Sequence, residues 1–321
     1  MRGVGRVEDS GPGRHWRFLR IAFDDRGIPS HYGYAIGAAA WESLMIANLK
    51  NLLIGFSADD KKPSSAVPYG LGLAREAQAH ATLQAVSCEL PVSHSIFSNF
   101  GSGLIREENV NRMLAAEAAC NAARQDAAAQ GVPCTAQAVQ RPFPDAVSTF
   151  GVHARVHGLV ILDSRPDRLS LERAMTEEVL FNCGRPVVVV PEDRTEFRLD
   201  RVMVAWDRSA QATRALNDAL PFLAAARTVN VVSIAEDAKG DALPGAEIAL
   251  HLSRHGVKAE MLALKAGVDG ALGTLREQAH AHRTDLIVMG AFVHSWWRQV
   301  TLGGVTQAFL AEPPAPLFLA H

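Results

Sequence analysis

"DLIVMGAFVHSWWRQVTLGGVTQAFL", residues 285–310, begins with a short apolar run, passes through a long segment, and ends in a pair of glycines before a helical pattern. A run such as "DLIVMGA" (285–291) is too short for a buried helix and suits a strand covered on both faces. Gly303 and Gly304 stand directly before "VTQAFLAE". Glycines let successive amides turn toward an anion, and the free N–H groups of a following helix face the same charge. The segment therefore reads as a strand, a glycine loop and a helix, an arrangement able to hold a phosphate.

The pattern around this segment repeats. Upstream are strand "VMVAWD" (202–207), helix 209–226 opened by Ser209, strand "TVNVVSIA" (228–235), helix 244–256, strand 258–264 and helix 269–283. Downstream, a helix near 304–311 leads to the terminal strand "PLFLAH" (316–321). The first half shows the same order. "NLLIGFS" (51–57) corresponds to "RVMVAWD", "GLVILDS" (158–164) to "DLIVMGA", and "RPVVVVP" (185–191) to "APLFLAH". Between them come helix 65–80, strand 81–87, helix 109–130, strand 133–139 and helix 143–157. The "GSG" at 101–103 reads as a flexible loop or lid. Alternating strands and helices predict an α/β fold made of two doubly wound, mainly parallel five-stranded sheets with helices on both faces.

Composition is compatible with this. The 321 residues are 48% hydrophobic, and a chain of this length favours two domains. A net charge of −2 without a basic stripe argues against a nucleic-acid partner. No apolar run is long enough to span a bilayer, so no membrane partner is expected and a cytoplasmic location is. The four cysteines form no C-x-x-C pair and read as free thiols in a reducing compartment. The first 47 residues read as an N-terminal extension, either disordered or a mis-assigned start. Trp41-Glu42 must be encoded UGG-GAR, a purine string a few nucleotides before the codon of Met45, so translation is expected to begin at Met45.

From about Asn48 the chain resembles a tandem universal stress protein, on "DLIVMGAFVHS", "LGGVTQAFL", "PLFLAH" and "VMVAWDRSAQATRALNDALPFL". The resemblance implies a Rossmann-like, adenine-nucleotide alpha hydrolase-like fold. A first, degenerate domain would span 48–192 and a second, carrying the glycine loop, 199–321, joined by "EDRTEFR" (192–198) into an intramolecular pseudo-dimer. It also implies pairing of the last strands, "PVVVV" and "PLFLA". Nucleotide-binding members of the family carry G-x2-G-x9-G-[ST] in the loop after strand four. Gly290 and Gly303 match that motif; Val293 replaces its second glycine and Gly304 its Ser or Thr, with Thr306 near enough to supply a hydroxyl. A β-branched residue resists the positive φ that glycine supplies, so Val293 bears most directly on whether the loop still works. By resemblance, ATP or AMP, with or without magnesium, would meet Asp207, Ile234, Gly290, Gly303, Gly304, Val305 and Thr306.

The first half has Asp163 where the glycine should be, a carboxylate that would repel phosphate. The chain thus reads as a stress-response regulator that binds a nucleotide in its C-terminal domain without strong catalysis. The alternative is a scaffold that has lost the nucleotide and recruits a protein partner. Further pairing of two tandem chains is left open. Asp207 can also be read as a cap for the following helix, shared with Ser209. The pairs His153/His157 and His251/His255 have metal-ligand spacing but no third ligand, and read as solvated helix surface. His294 reads as a loop hydrogen-bonder, and no P-loop or nucleophile elbow is present.

Overall fold

The computed structural model describes residues 46, 48–59, 62–91, 99–235, 246–291 and 305–321, which belong to one compact unit spanning Leu44–His321. Ten strands and nine α-helices are described, with a π-helical turn, Val179–Cys183, directly after the fourth of these helices. The first half comprises β1 (Asn51–Ser57), α1 (Ala66–Ala77), β2 (His80–Cys88), α2 (Asn99–Ala129), β3 (Cys134–Arg141), α3 (Phe143–Ala154), β4 (Leu159–Asp163), α4 (Leu171–Glu178) and β5 (Val187–Val190). The second comprises β6 (Arg201–Ala205), α5 (Ala210–Asp218), α6 (Leu220–Ala225), β7 (Thr228–Ala235), α7 (Ala246–Arg254), β8 (Ala259–Lys265), α8 (Gly270–Ala281), β9 (Leu286–Gly290), α9 (Val305–Ala311) and β10 (Leu317–Ala320).

The two expected five-stranded sheets are joined into one. The order is β3-β2-β1-β4-β5-β10-β9-β6-β7-β8. Neighbours are parallel except at the centre, where β5 and β10 run antiparallel with Leu317 opposite Val189 and Leu319 opposite Val187. This is the pairing expected of "PVVVV" and "PLFLA". Each half would otherwise expose a strand edge four residues long, and the seam satisfies both.

Strand periodicity sorts the side chains to two faces. Leu52, Ile54, Phe56, Val188, Val202, Val204 and Phe318 enter one core with α1, α2 and α5–α7. Leu53, Val160, Leu162, Val189, Met203, Ile287 and Leu317 enter the other with α3, α4, α8 and α9. Both cores cross the seam, so the halves share their interior. Ile46, assigned from sequence to the N-terminal extension, is already part of the first core.

Three expectations are corrected. The helix predicted from 109 begins at Asn99, so "GSG" at 101–103 is helical and not a lid. Its inner stripe of Ala116, Cys120, Ala123 and Ala127 is small and buried, which lets 31 residues of weakly amphipathic helix lie close on the sheet. Helix 209–226 is two helices, because Pro221 cannot donate into the ladder. α3 stops at Ala154, so His153 and His157 do not share a helical face, and His157 is buried: its Nδ1 donates to His153 O at 2.8 Å and Nε2 accepts from Thr82 Oγ1 at 2.9 Å. His251 and His255 do lie side by side, with ring centroids 4.7 Å apart and ring planes tilted by 57°, yet no group of three metal-ligating side chains occurs among the described residues.

Candidate functional site

Strand order reverses between β9 and β6, and in a doubly wound sheet the crevice at the carboxyl ends of such strands is where ligands collect. Gly290 ends β9, Asp207 follows β6 by two residues, and Ile234 lies at the end of β7. β9, β6 and β7 are adjacent, so the structure brings these three sequence-predicted residues to one edge. Val305 and Thr306 open α9 and are buried. Gly303 and Gly304, with Val293, His294, Trp296 and Trp297, lie outside the described residues, as does Met45.

Asp207 does what its alternative reading requires. Its Oδ1 accepts from the backbone N–H of Ser209 at 2.9 Å, and Ser209 Oγ accepts from Ala212 N at 3.0 Å as the N-cap of α5. Arg208, between them, takes a left-handed conformation with φ 64°. The carboxylate is half-buried, and its second oxygen has no partner among the described residues. One oxygen holds the turn and the other is available to a hydrogen-bond donor.

Gly290 has a reason that the sequence did not show. A Cβ there would lie 2.5 Å from the backbone nitrogen of Ala212 and 2.7 Å from the carbonyl carbon of Gln211. The group that comes close to Gly290 is the first turn of α5. Glycine allows the helix to start directly against the end of β9, which brings the α5 terminus to the crevice.

At the equivalent position of the first half, Asp163 is 2% exposed. Its Oδ1 accepts from the amides of Ser65 and Ala66, both at 2.8 Å, at the start of α1. Burial pushes the carboxyl above its usual range, while hydrogen bonds from Ser64 and these amides and the charge of Arg165 pull it back. Around it, Arg165 pairs with buried Glu172 at 3.9 Å and with Glu192 at 3.6 Å, and Lys62 bonds Glu192 at 2.9 Å. The first half thus places the Asp163 carboxylate where the second has Gly290. Sequence reasoning identified Asp163 as hostile to phosphate but missed its structural partner, since the start of α1 is about a hundred residues away.

The halves also meet through α9. Gln307 Oε1 accepts from Arg168 Nη2 at 2.9 Å and from Arg173 Nη2, and Ser164 Oγ donates to Leu310 O at 3.0 Å. The segment after β4 therefore grips the helix that follows the glycine loop. No helix among the described residues is long and apolar enough to cross a membrane.

Comparison with known proteins agrees with this architecture. Residues 198–321 match the model of the universal stress protein family. A universal stress protein from Archaeoglobus fulgidus superposes with a TM-score of 0.65 at 16% identity, over 87% of this chain and 98% of the other. A Pseudomonas aeruginosa protein described under the same family name aligns over 87% of this chain and 95% of its own, at 14% identity and a TM-score of 0.48. No curated protein sequence matches the chain significantly. The chain has the mainly parallel, helix-flanked sheet of universal stress proteins, and residues 198–321 form one universal stress protein domain.

Proposed function

We propose that the protein is a stress-response regulator whose C-terminal domain binds ATP or AMP at the carboxyl ends of β9, β6 and β7, without strong catalysis. The observation that carries this reading is the gathering of Asp207, Ile234 and Gly290 at the reversal of strand order, with one Asp207 oxygen unused. A carboxylate there accepts hydrogen bonds from ribose hydroxyls or an exocyclic amine. The glycine loop and the buried Thr306 would serve the phosphates, with magnesium as counter-ion. The first half, with Asp163 committed to α1, acts as the structural partner.

The packing of Gly290 against α5 favours a second reading, a scaffold that keeps the glycine for its fold alone and acts through a protein partner. Calorimetric titration of ATP and AMP, with magnesium, into the wild-type chain and Asp207→Ala separates the two. Micromolar binding that weakens at least tenfold in the variant supports the nucleotide reading; no heat and no thermal shift at millimolar nucleotide refutes it.

A further inference from the structure

A cavity of about 720 Å³ opens on the opposite edge of the second half. Its wall is assembled from Tyr69 of α1, the connecting segment 193–198, Arg201 at the start of β6, the turn from His280 to Asp285, and the prolines before β10. It lies at the amino ends of β6 and β9, whereas the nucleotide position proposed above lies at their carboxyl ends. A five-residue strand separates the two by about 17 Å.

The charges in this wall do not cancel pairwise. Arg198 bonds Glu196 at 2.7 Å, and Arg194 lies 3.7 Å from Asp193. Asp285 Oδ2 accepts from the backbone N–H of Arg201 at 2.8 Å. The guanidinium groups of Arg201 and Arg283 are exposed and have no carboxylate partner among the described residues. Tyr69 is 1% exposed, and its hydroxyl is buried without a partner. Burial, and secondarily the Asp285 carboxylate, push its phenol above the usual value, so it keeps its proton. Against these two guanidinium groups stands one carboxylate without an ion-pair partner among the described residues, Asp285, so the wall carries an excess of one positive charge and most of its unused hydrogen-bonding capacity is donor. Guanidinium cannot accept a hydrogen bond, and its planar fork matches carboxylate and phosphate oxygens.

We propose that this cavity binds a small polyvalent anion bearing phosphate or carboxylate groups, held by Arg201 and Arg283 over a floor formed by Tyr69. The site is independent of the nucleotide reading and shares no residue with it. The competing account gives Arg283, just past the C-terminus of α8, the ordinary role of a cation beside a helix dipole, and leaves Arg201 as surface. That account predicts no saturable binding.

The test uses the full chain at low ionic strength, with citrate as the probe in calorimetry, because inorganic pyrophosphate would also suit the phosphate position proposed at the glycine loop. Saturable one-to-one binding of citrate, weakened at least tenfold in the Arg201→Gln/Arg283→Gln double variant and unchanged in Asp207→Ala, is the expected result. Arg283→Lys keeps the charge but loses the fork, and should retain only part of the affinity. Because both arginines are exposed, the double variant should keep the wild-type urea midpoint, which checks its fold. Absence of saturable binding at millimolar probe overturns the proposal. So does binding that persists undiminished in the double variant or is abolished by Asp207→Ala.

Discussion

Replacing Gly290 with alanine tests whether this glycine serves the fold directly. The new methyl would meet the Ala212 nitrogen at 2.5 Å, the Gln211 carbonyl carbon at 2.7 Å and the Gln211 Cβ at 2.8 Å. Favourable carbon contacts lie near 3.5–4.0 Å, so the overlap is about 1 Å, and two of the three atoms are backbone. The first turn of α5 must retreat, which strains the Ser209 cap and the Asp207 turn behind it. Overpacking of this kind costs about 1–3 kcal/mol, and a weakened cap adds about 1 kcal/mol. The narrower unfolded ensemble of alanine returns about 0.4–1 kcal/mol. The net expectation is a loss of about 1–3 kcal/mol, read as a lower urea midpoint at unchanged slope in the ligand-free protein. Gly103→Ala is the control: its Cβ meets nothing within 4 Å inside α2, so the same chemical change should stabilise the chain by about 0.5–1 kcal/mol. If Gly290→Ala unfolds at the wild-type midpoint, α5 yields without cost and the packing explanation is wrong.

Asp163→Ala strips two buried amides of their acceptor and should cost about 3 kcal/mol in the same assay, given about 1.5–3 kcal/mol for a hydrogen bond to a charged group. Phe318→Ala empties a fully buried position at the seam, where Phe318 opposes Val188 and packs on Phe222 at 5.4 Å; a loss of about 3–5 kcal/mol is expected, again by urea unfolding. Burial of His157 lowers its imidazole pKa below 6.5, so the folded state favours the neutral ring and the unfolded chain takes up the proton first. This group's stabilisation is therefore complete above pH 6.5 and is lost as pH falls through the lower folded-state value. Stability measured between pH 7 and 5 should fall less steeply in His157→Gln; an unchanged slope would remove His157 as a cause.

Much of the fold is written in local periodicity. Short apolar runs mark every described strand to within two residues, and the correspondence of "LVILD" with "LIVMG" puts Asp163 and Gly290 at equivalent positions. The sequence pattern starts α2 too late because "NFGSG" carries loop-forming residues that the tertiary context overrides. The role of Gly290 was half legible. Sequence gives Gly290 a place in a ligand loop, and only the packing shows that the first turn of α5 comes close to it. Asp163 and the Arg201–Arg283 cavity were not legible as sites, because each joins segments distant in sequence. Nothing local to "SRPDR" names the α1 amides as its neighbours, and the cavity wall needs α1, the connecting segment, the turn before β9 and the prolines before β10 together.

The antiparallel junction of β5 with β10 has a genetic consequence. When two identical subunits meet across such a junction, every codon change appears on both sides of the axis, and a residue that suits one side is imposed on the other. Here the two sides are encoded separately within one polypeptide. Asp163 holds the start of α1 on one side while Gly290 admits the first turn of α5 on the other, and Arg168 and Arg173 meet a glutamine, Gln307, that has to exist only once. Because each side of the junction is encoded once, a change at Asp163 leaves Gly290 in place, and a change at Gly290 leaves Asp163 in place.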